Sequence, residues 1–177
     1  MRKLTHEEIL KERLTIEGAI LAKRNPVSLM LINIRSLYNV GSIFRTADAG
    51  LANELILCGY TPKPPRTEIS KTSLGAVDSV HWSYFKNPID AINEQKSKGY
   101  KIIALELTDK KRIYTSLEKS EFPICIVLGN ELTGLDDVLL KECDDAIEIP
   151  MYGVKHSLNV SVAAGIALME AVKIIRN

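Results

Sequence analysis

Apolar positions along the chain fall into two rhythms. Short, nearly continuous apolar runs occur at Val27 to Ile34 (VSLMLINI), Glu54 to Cys58, Lys101 to Leu105, Ile124 to Leu128 and Ala146 to Ile149, and each reads as a buried strand. Between them lie segments with helical spacing. In Val40 to Ala49 the residues Val40, Ile43, Phe44 and Ala47 form one stripe, and Ile89 to Lys98 is a second helical or mixed stretch. Strands alternating with helices predict an α/β fold with a mainly parallel sheet. The amino-terminal stretch Thr5 to Lys23 reads as one charged accessory helix with Ile9, Leu10, Leu14, Ile16 and Ile20 on its apolar side, broken by Asn25-Pro26. Tyr60 to Thr67 holds three prolines and two basic residues and reads as an exposed loop.

Val160 to Ile175 differs from an ordinary surface helix, because its first turns are apolar or small on nearly every side. It predicts burial on more than one face. Ala163, Ala164, Gly165 and Ala167 would let a second backbone approach closely, either from the chain's own core or from a partner subunit.

Composition narrows the class. At 177 residues, 46% hydrophobic and 25% charged, the chain fits one compact domain. It has no apolar run long enough to span a bilayer and no secretion-type leader, which predicts a cytoplasmic protein. Cys58, Cys125 and Cys143 read as reduced and structural, and no His/Cys spacing resembles a metal site, so none is expected. With 23 basic and 22 acidic residues the net charge is +1, so a nucleic-acid partner must be argued from local sites.

Three constellations carry candidate chemistry. In NVGSIFRTADAGL, Asn39 can cap a helix that Gly50 ends, leaving Ser42 and Arg45 off the buried stripe. Periodicity leaves two readings of Arg45: a solvated surface arginine, or a guanidinium held for a phosphate or a developing oxyanion. In LGNELTGL, Gly129 follows a strand, where open α/β sheets place ligands. Gly129 and Gly134 have P-loop spacing, but Leu135-Asp136 replaces the required lysine and hydroxyl residue. Glu131 reads either as a solvated loop acid or as a group that orients a partner. In IPMYGVKHSLNVSVAAGIALME, Ser157 and Asn159 stand where the chain enters the buried helix, and either could be only an N-cap. No G-x-S-x-G elbow surrounds Ser157, which disfavours a serine nucleophile.

In this order and at these separations the three segments resemble the three signature motifs of the SpoU, or TrmH-like, family of RNA ribose 2′-O-methyltransferases of the SPOUT superfamily. The resemblance covers about Val27 to Arg176. It implies a SPOUT-type domain over residues 25–177 behind a helical extension at 1–24, with helices on both sheet faces and a deep trefoil knot near the carboxyl end. It also implies S-adenosylmethionine as cofactor, an RNA substrate and a homodimer with active sites at the interface. Topology rules alone would have argued against a knot.

Carried over by position, Asn39 and Arg45 match the first motif's polar pair, Glu131 the second motif's acid, and Ser157 and Asn159 the third motif's SLN. The adenosine pocket would be formed by Leu105, Gly129, Ile149, Met151, Ser157 and Leu158, with Leu105 placed by strand position only. Accounts of the family make the matching arginine a general base. An arginine stays protonated in proteins, so phosphate anchor and oxyanion stabiliser is the easier role for Arg45. Lys63, Arg66, Lys71 and Lys155 are candidate phosphate contacts. Transfer RNA is the preferred substrate over ribosomal RNA, since this chain has no room for a separate amino-terminal RNA-binding domain. The competing reading is a SPOUT-fold RNA-binding scaffold without catalysis. A Rossmann-type enzyme is disfavoured by the missing G-x-G-x-x-G after the first strand.

Overall fold

A computed structural model describes residues 1–177. Its elements run α1 (His6–Glu12), α2 (Ile16–Leu21), β1 (Asn25–Ile32), α3 (Leu37–Ala49), β2 (Ala52–Cys58), α4 (Thr67–Ser73), α5 (Ala76–Ser79), β3 (Trp82–Phe85), α6 (Pro88–Ser97), β4 (Lys101–Leu105), β5 (Ile124–Leu128), α7 (Asp137–Glu142), β6 (Asp145–Ile147) and α8 (Val160–Arg176). The six strands form one all-parallel sheet in the order β3-β2-β1-β5-β4-β6.

The period of two along each strand sorts the core into two layers. Leu29 and Leu31 of β1, Leu55 and Leu57 of β2 and Ile126 of β5 face α3, α4 and α8, together with Phe44, Ile69 and Leu168. Their neighbours Met30, Ile32, Ile56, Cys58, Cys125 and Val127 face the opposite side, where Ile92 of α6 and Leu139 of α7 cover them. Helices therefore lie on both faces, and the continuous apolar runs are strands buried on both sides. All three thiols are free. Burial pushes Cys58 up to about 12 and Cys143 up to about 11, which makes both poor nucleophiles at neutral pH.

Several boundaries differ from the pattern's expectation. The amino-terminal helix is two helices, because Arg13 is extended and the Thr15 hydroxyl caps a new start by accepting from the Gly18 amide. α1 buries no residue, whereas α2 buries Ala19 and is tied down by Arg24, whose guanidinium donates to the carbonyls of Ala19, Ala52 and Ser79. Asn39 is not the cap of α3: Ser36 is, and it accepts from the Asn39 amide, which leaves the Asn39 side chain free for other work. Gly50 ends α3 as expected, but the left-handed residue there is Leu51. The edge strand β3 escaped the pattern, since its four residues WSYF are only partly buried. No helix is long and apolar enough to cross a membrane.

Strand order reverses at β1. From β1 the chain walks outward through β2 to β3, then returns to the far side of the sheet through α6 and lays down β4, β5 and β6. The crevice between the carboxyl ends of β1 and β5 is thus a topological switch point, where parallel sheets expose backbone to ligands.

Candidate active site

Three loops meet at the carboxyl ends of β4, β5 and β6 and enclose a cavity of about 290 Å³. Its walls come from Leu105 to Leu107, Leu128 to Gly134, Glu148, Ile149 and Met151, and from His156 to Leu158 with Val160 and Ala163. Every residue assigned to the adenosine pocket from the sequence, Leu105, Gly129, Ile149, Met151, Ser157 and Leu158, borders it.

The β5 loop is closed on itself. Asn130 and Gly134 exchange backbone hydrogen bonds of 3.2 and 2.9 Å, and the Asn130 side-chain oxygen accepts from the amides of Leu132 and Thr133. A Cβ on Gly129 would fall 2.3 Å from the Gly134 carbonyl carbon and 2.5 Å from the Leu135 nitrogen, both backbone, so only glycine fits there. Glu106, at the end of β4, accepts from the Leu107 and Leu135 amides and joins the β4 loop to the β5 loop.

Glu131 is held at the start of α3. Its carboxylate accepts from the Arg35 amide (2.9 Å), the Ser36 amide (3.0 Å) and the Asn39 side-chain amide (3.0 Å). Burial on its own would raise the Glu131 pKa, but these donors outweigh it and hold the carboxyl below its ordinary value. Asn159 extends the chain of bonds: its amide donates to Asn39 Oδ1 at 3.1 Å, while its own Oδ1 caps α8 by accepting from the Ser161 amide and hydroxyl. The run Asn159, Asn39, Glu131 joins all three sequence motifs, and it ends at an acid that borders the cavity.

Ser157 lies on the cavity wall, exposed and without a hydrogen-bond partner. Arg45 is exposed on α3, outside the cavity wall and without an ion pair in this chain. The structure therefore brings Asn39, Glu131, Ser157 and Asn159 to one place and leaves Arg45 six residues beyond Asn39 along the helix.

Four residues at the site had not been singled out as participants. His156 and Glu106 border the cavity. Asn33, at positive φ, and Asn130 lock the loops after β1 and β5, with the Asn130 amide donating to the Asn33 carbonyl at 2.8 Å. An asparagine directly after an apolar strand is the signal that would have flagged Asn33, because asparagine tolerates the left-handed region.

The cavity's chemistry fits S-adenosylmethionine. Leu105, Leu128, Ile149, Met151 and Leu158 give apolar walls for an adenine, backbone groups at three strand ends are available to its edge, and Glu106, Glu131 and Glu148 present acids to a ligand with ammonium and sulfonium charges. A parallel α/β domain with such a pocket at its strand ends has the features of an S-adenosylmethionine-binding domain. An AdoMet-bound rRNA methyltransferase from Sinorhizobium meliloti superposes with a TM-score of 0.79 at 31% identity, over 85% of this chain and 57% of that one.

The chain belongs to the SpoU rRNA Methylase family, whose pattern matches residues 26–169. It is 32% identical over 168 residues to the tRNA (guanosine(18)-2′-O)-methyltransferase of Aquifex aeolicus, which covers 92% of this chain and 77% of that enzyme. It is 34% identical over 155 residues to the 23S rRNA (guanosine-2′-O-)-methyltransferase of Vibrio vulnificus, covering 87% of this chain and 62% of that one. Membership makes it an RNA methyltransferase that uses S-adenosylmethionine.

Proposed function

We propose that the chain methylates a ribose 2′-hydroxyl of an RNA, with transfer RNA preferred over ribosomal RNA. The observation that carries this reading is the bonded run Asn159, Asn39, Glu131 at the mouth of the cofactor-sized cavity. The relative named for guanosine 2′-O-methylation of tRNA is matched over 77% of its length and the one named for 23S rRNA over 62%, which supports the tRNA preference.

S-adenosylmethionine, held by the residues of the pocket, would supply an electrophilic methyl group on a sulfonium to the 2′-oxygen and be left as a neutral thioether. The protein's task is to hold the 2′-oxygen in line and let its proton pass to solvent water as the C–O bond forms. Leu105, Gly129, Ile149, Met151, Ser157 and Leu158 form the cofactor pocket. Asn39, Glu131 and Asn159 fix the loop geometry at its mouth, and Ser157 presents an unpartnered hydroxyl to the reacting ribose. Arg45 anchors the RNA phosphate and stabilises the developing oxyanion. A permanently charged guanidinium suits that role better than proton removal.

Arg45 lies outside the cavity wall of its own chain, which supports an active site completed in a homodimer. Val162, Ile166 and Met169 of α8 supply an apolar surface for that dimer: they recur at helical spacing, and Val162 and Met169 are each 49% exposed. We assign residues 25–177 to the methyltransferase domain and 1–24 to an extension, and place the protein in the cytoplasm.

The return of α8 beneath β1 and β5, after β6 has formed the far edge beyond β4, supports a carboxyl-terminal trefoil knot. Incubation with total RNA and labelled cofactor, followed by mapping of the modified nucleotide by mass spectrometry, tests the function. Label confined to ribosomal RNA would refute the tRNA preference, and no label with intact cofactor binding would favour an RNA-binding scaffold.

A further inference from the structure

Beside the cavity, the loop after β2 and the first turn of α3 form a second surface that the methyl-transfer chemistry does not use. Tyr60 is 61% exposed, yet its position is fixed: its hydroxyl accepts from the Asn130 amide at 2.7 Å and its backbone amide donates to Asn33 Oδ1 at 3.2 Å. A ring locked by its polar end and open on its face is unusual for a surface tyrosine, which normally moves freely. The next residue, Thr61, is buried, accepts from the Ile34 amide and donates to the Leu31 carbonyl, so the Tyr60 loop is bonded to the end of β1 and the residues that follow it.

A second exposed aromatic follows Arg35 by three residues. Tyr38, on the first turn of α3, is 52% exposed, and its carbonyl accepts from the Thr72 hydroxyl of α4. Gly41 lets the two helices meet this closely, since a Cβ there would fall 2.4 Å from the Ile69 carbonyl oxygen. Cations flank the two rings along the chain: Arg35 follows Ile34, which is bonded to Thr61, Lys71 precedes Thr72, which is bonded to Tyr38, and Arg66 ends the Tyr60 loop. Arg35, Arg66 and Lys71 are exposed and have no hydrogen-bonded or ion-paired side-chain partner, while Lys63 rests over the Tyr84 ring at 3.9 Å. Rigid aromatics interleaved with unpaired cations match the chemistry of a single nucleic-acid strand: flat bases to stack on and phosphates to neutralise. Tyr38, Ser42 and Arg45 follow one another at helical spacing on α3.

We propose that this face receives an unpaired RNA strand, with the Tyr60 ring stacking on a base beside the nucleotide whose ribose is presented at Glu131, and with Arg35, Arg66 and Lys71 holding the flanking phosphates. The proposal rests on the methyltransferase reading for the identity of that nucleotide, but the docking face is separable from it. The enzyme then acts on loops or other unpaired segments and disfavours a closed duplex, whose bases offer no free face.

Fluorescence anisotropy with the full chain tests this, using a short labelled oligoadenylate and the same strand paired with oligouridylate. Wild-type protein binds the single strand more tightly than the duplex. Tyr60→Ser weakens single-strand binding about tenfold, whereas Tyr60→Phe, which keeps the ring, stays within about twofold. The Arg35→Ala/Arg66→Ala double variant lowers the slope of log affinity against log salt by about 1.4. Cofactor titration by calorimetry reports whether each variant is folded.

Unchanged affinity in folded Tyr60→Ser overturns the proposal, as does equal loss in the Phe and Ser variants, which would make the hydroxyl's grip on Asn130 the cause. Retained RNA affinity with dissociation into monomers would assign the face to a second copy and also overturn it. If wild-type protein labels RNA but Tyr60→Ser binds normally, the docking face alone fails. If Tyr60→Ser loses affinity while wild-type protein labels no RNA, the methyltransferase reading fails and the docking face stands.

Discussion

The Asn159 amide donates to the Asn39 side-chain oxygen across 120 residues of sequence, and Asn39 in turn donates to Glu131. Two helix starts and one strand-end loop are thereby fixed relative to one another by side chains. Asn39→Ala removes both bonds without touching the cavity wall. Glu131 keeps its two backbone donors, so the loop stays folded and cofactor binding persists, but the loop loses its link to α8. Methyl transfer should fall by roughly tenfold or more, on the order of the 1–3 kcal/mol that a part-buried hydrogen-bonding group costs when orphaned. Cofactor affinity by calorimetry and turnover with labelled cofactor separate the two effects; a parallel loss of both would refute the assignment.

Gly129→Ala tests the cofactor pocket from the backbone side. The added methyl group meets backbone atoms of Gly134 and Leu135 that cannot swing away, so the β5 loop must open. We expect a loss of stability of about 1–3 kcal/mol, typical of overpacking, and cofactor affinity reduced beyond detection. Thermal unfolding with and without S-adenosylmethionine checks both: the wild type gains stability on adding cofactor, and the variant gains none.

How far the sequence could carry these conclusions depended on whether a residue's role was local. The strands at Lys101 to Leu105 and Ile124 to Leu128 were legible to the residue, because both faces of each are buried and the apolar run is continuous. β3 was not, since WSYF sits at a half-covered edge and lacks that run. Asn39 was legible as important but misjudged as a cap, because a cap is a local role and its real partners lie 92 and 120 residues away. Tyr60 carried no local signal, and Asn33 only that of an asparagine after an apolar strand, because their significance is a contact between loops after three different strands. Only the motif resemblance reached across such distances, and it did so without giving geometry.

An ion-pair cluster fastens the segment that crosses from β4 to β5. Arg112 bonds both oxygens of Glu121 and also Asp145, and Lys101 donates to Glu121 at 2.6 Å. The Arg112 guanidinium, followed by Lys101 and the Glu118 amide, holds the Glu121 carboxyl down at about 2 despite partial burial. A carboxyl depressed on folding contributes stability that is complete above its unfolded value and is lost as the pH falls toward the folded one. The urea midpoint should therefore drop as the pH is lowered from about 5 toward about 3, and Glu121→Gln should flatten that dependence while lowering the midpoint at neutral pH. Parallel pH profiles for wild type and variant would show that the cluster adds no stability.

The apolar stripe on α8 leads to a prediction about assembly. If Val162 and Met169 are covered by a second copy, Met169→Glu places two like charges in one interface and separates the subunits. Sedimentation should show a dimer for the wild type and a monomer for the variant. Methyl transfer should fail in the monomer even though each chain retains its whole cavity, because Arg45 lies outside its own chain's cavity wall. A wild-type monomer with full activity would refute the shared site.

Arg45 offers the sharpest test of mechanism, because its two possible roles respond differently to conservative change. It is exposed and outside the cavity wall, so Arg45→Ala should leave cofactor binding nearly intact while reducing methyl transfer by about 10²–10³-fold, the scale for loss of one oxyanion-stabilising donor. Arg45→Lys keeps the positive charge but loses the planar fork. If Arg45 anchors a phosphate and steadies the developing oxyanion, lysine should recover part of the lost rate, since charge does most of the work. If instead the residue removes the 2′-proton, it must act in a neutral form. Lysine reaches that form at lower pH than arginine, so the rate in Arg45→Lys would then climb steeply with pH toward the lysine pKa of about 10.4 and could overtake the wild type. Single-turnover rates of both proteins across the alkaline range decide between the roles: a partial, pH-independent rescue supports the anchor, and a rate rising tenfold per pH unit overturns it.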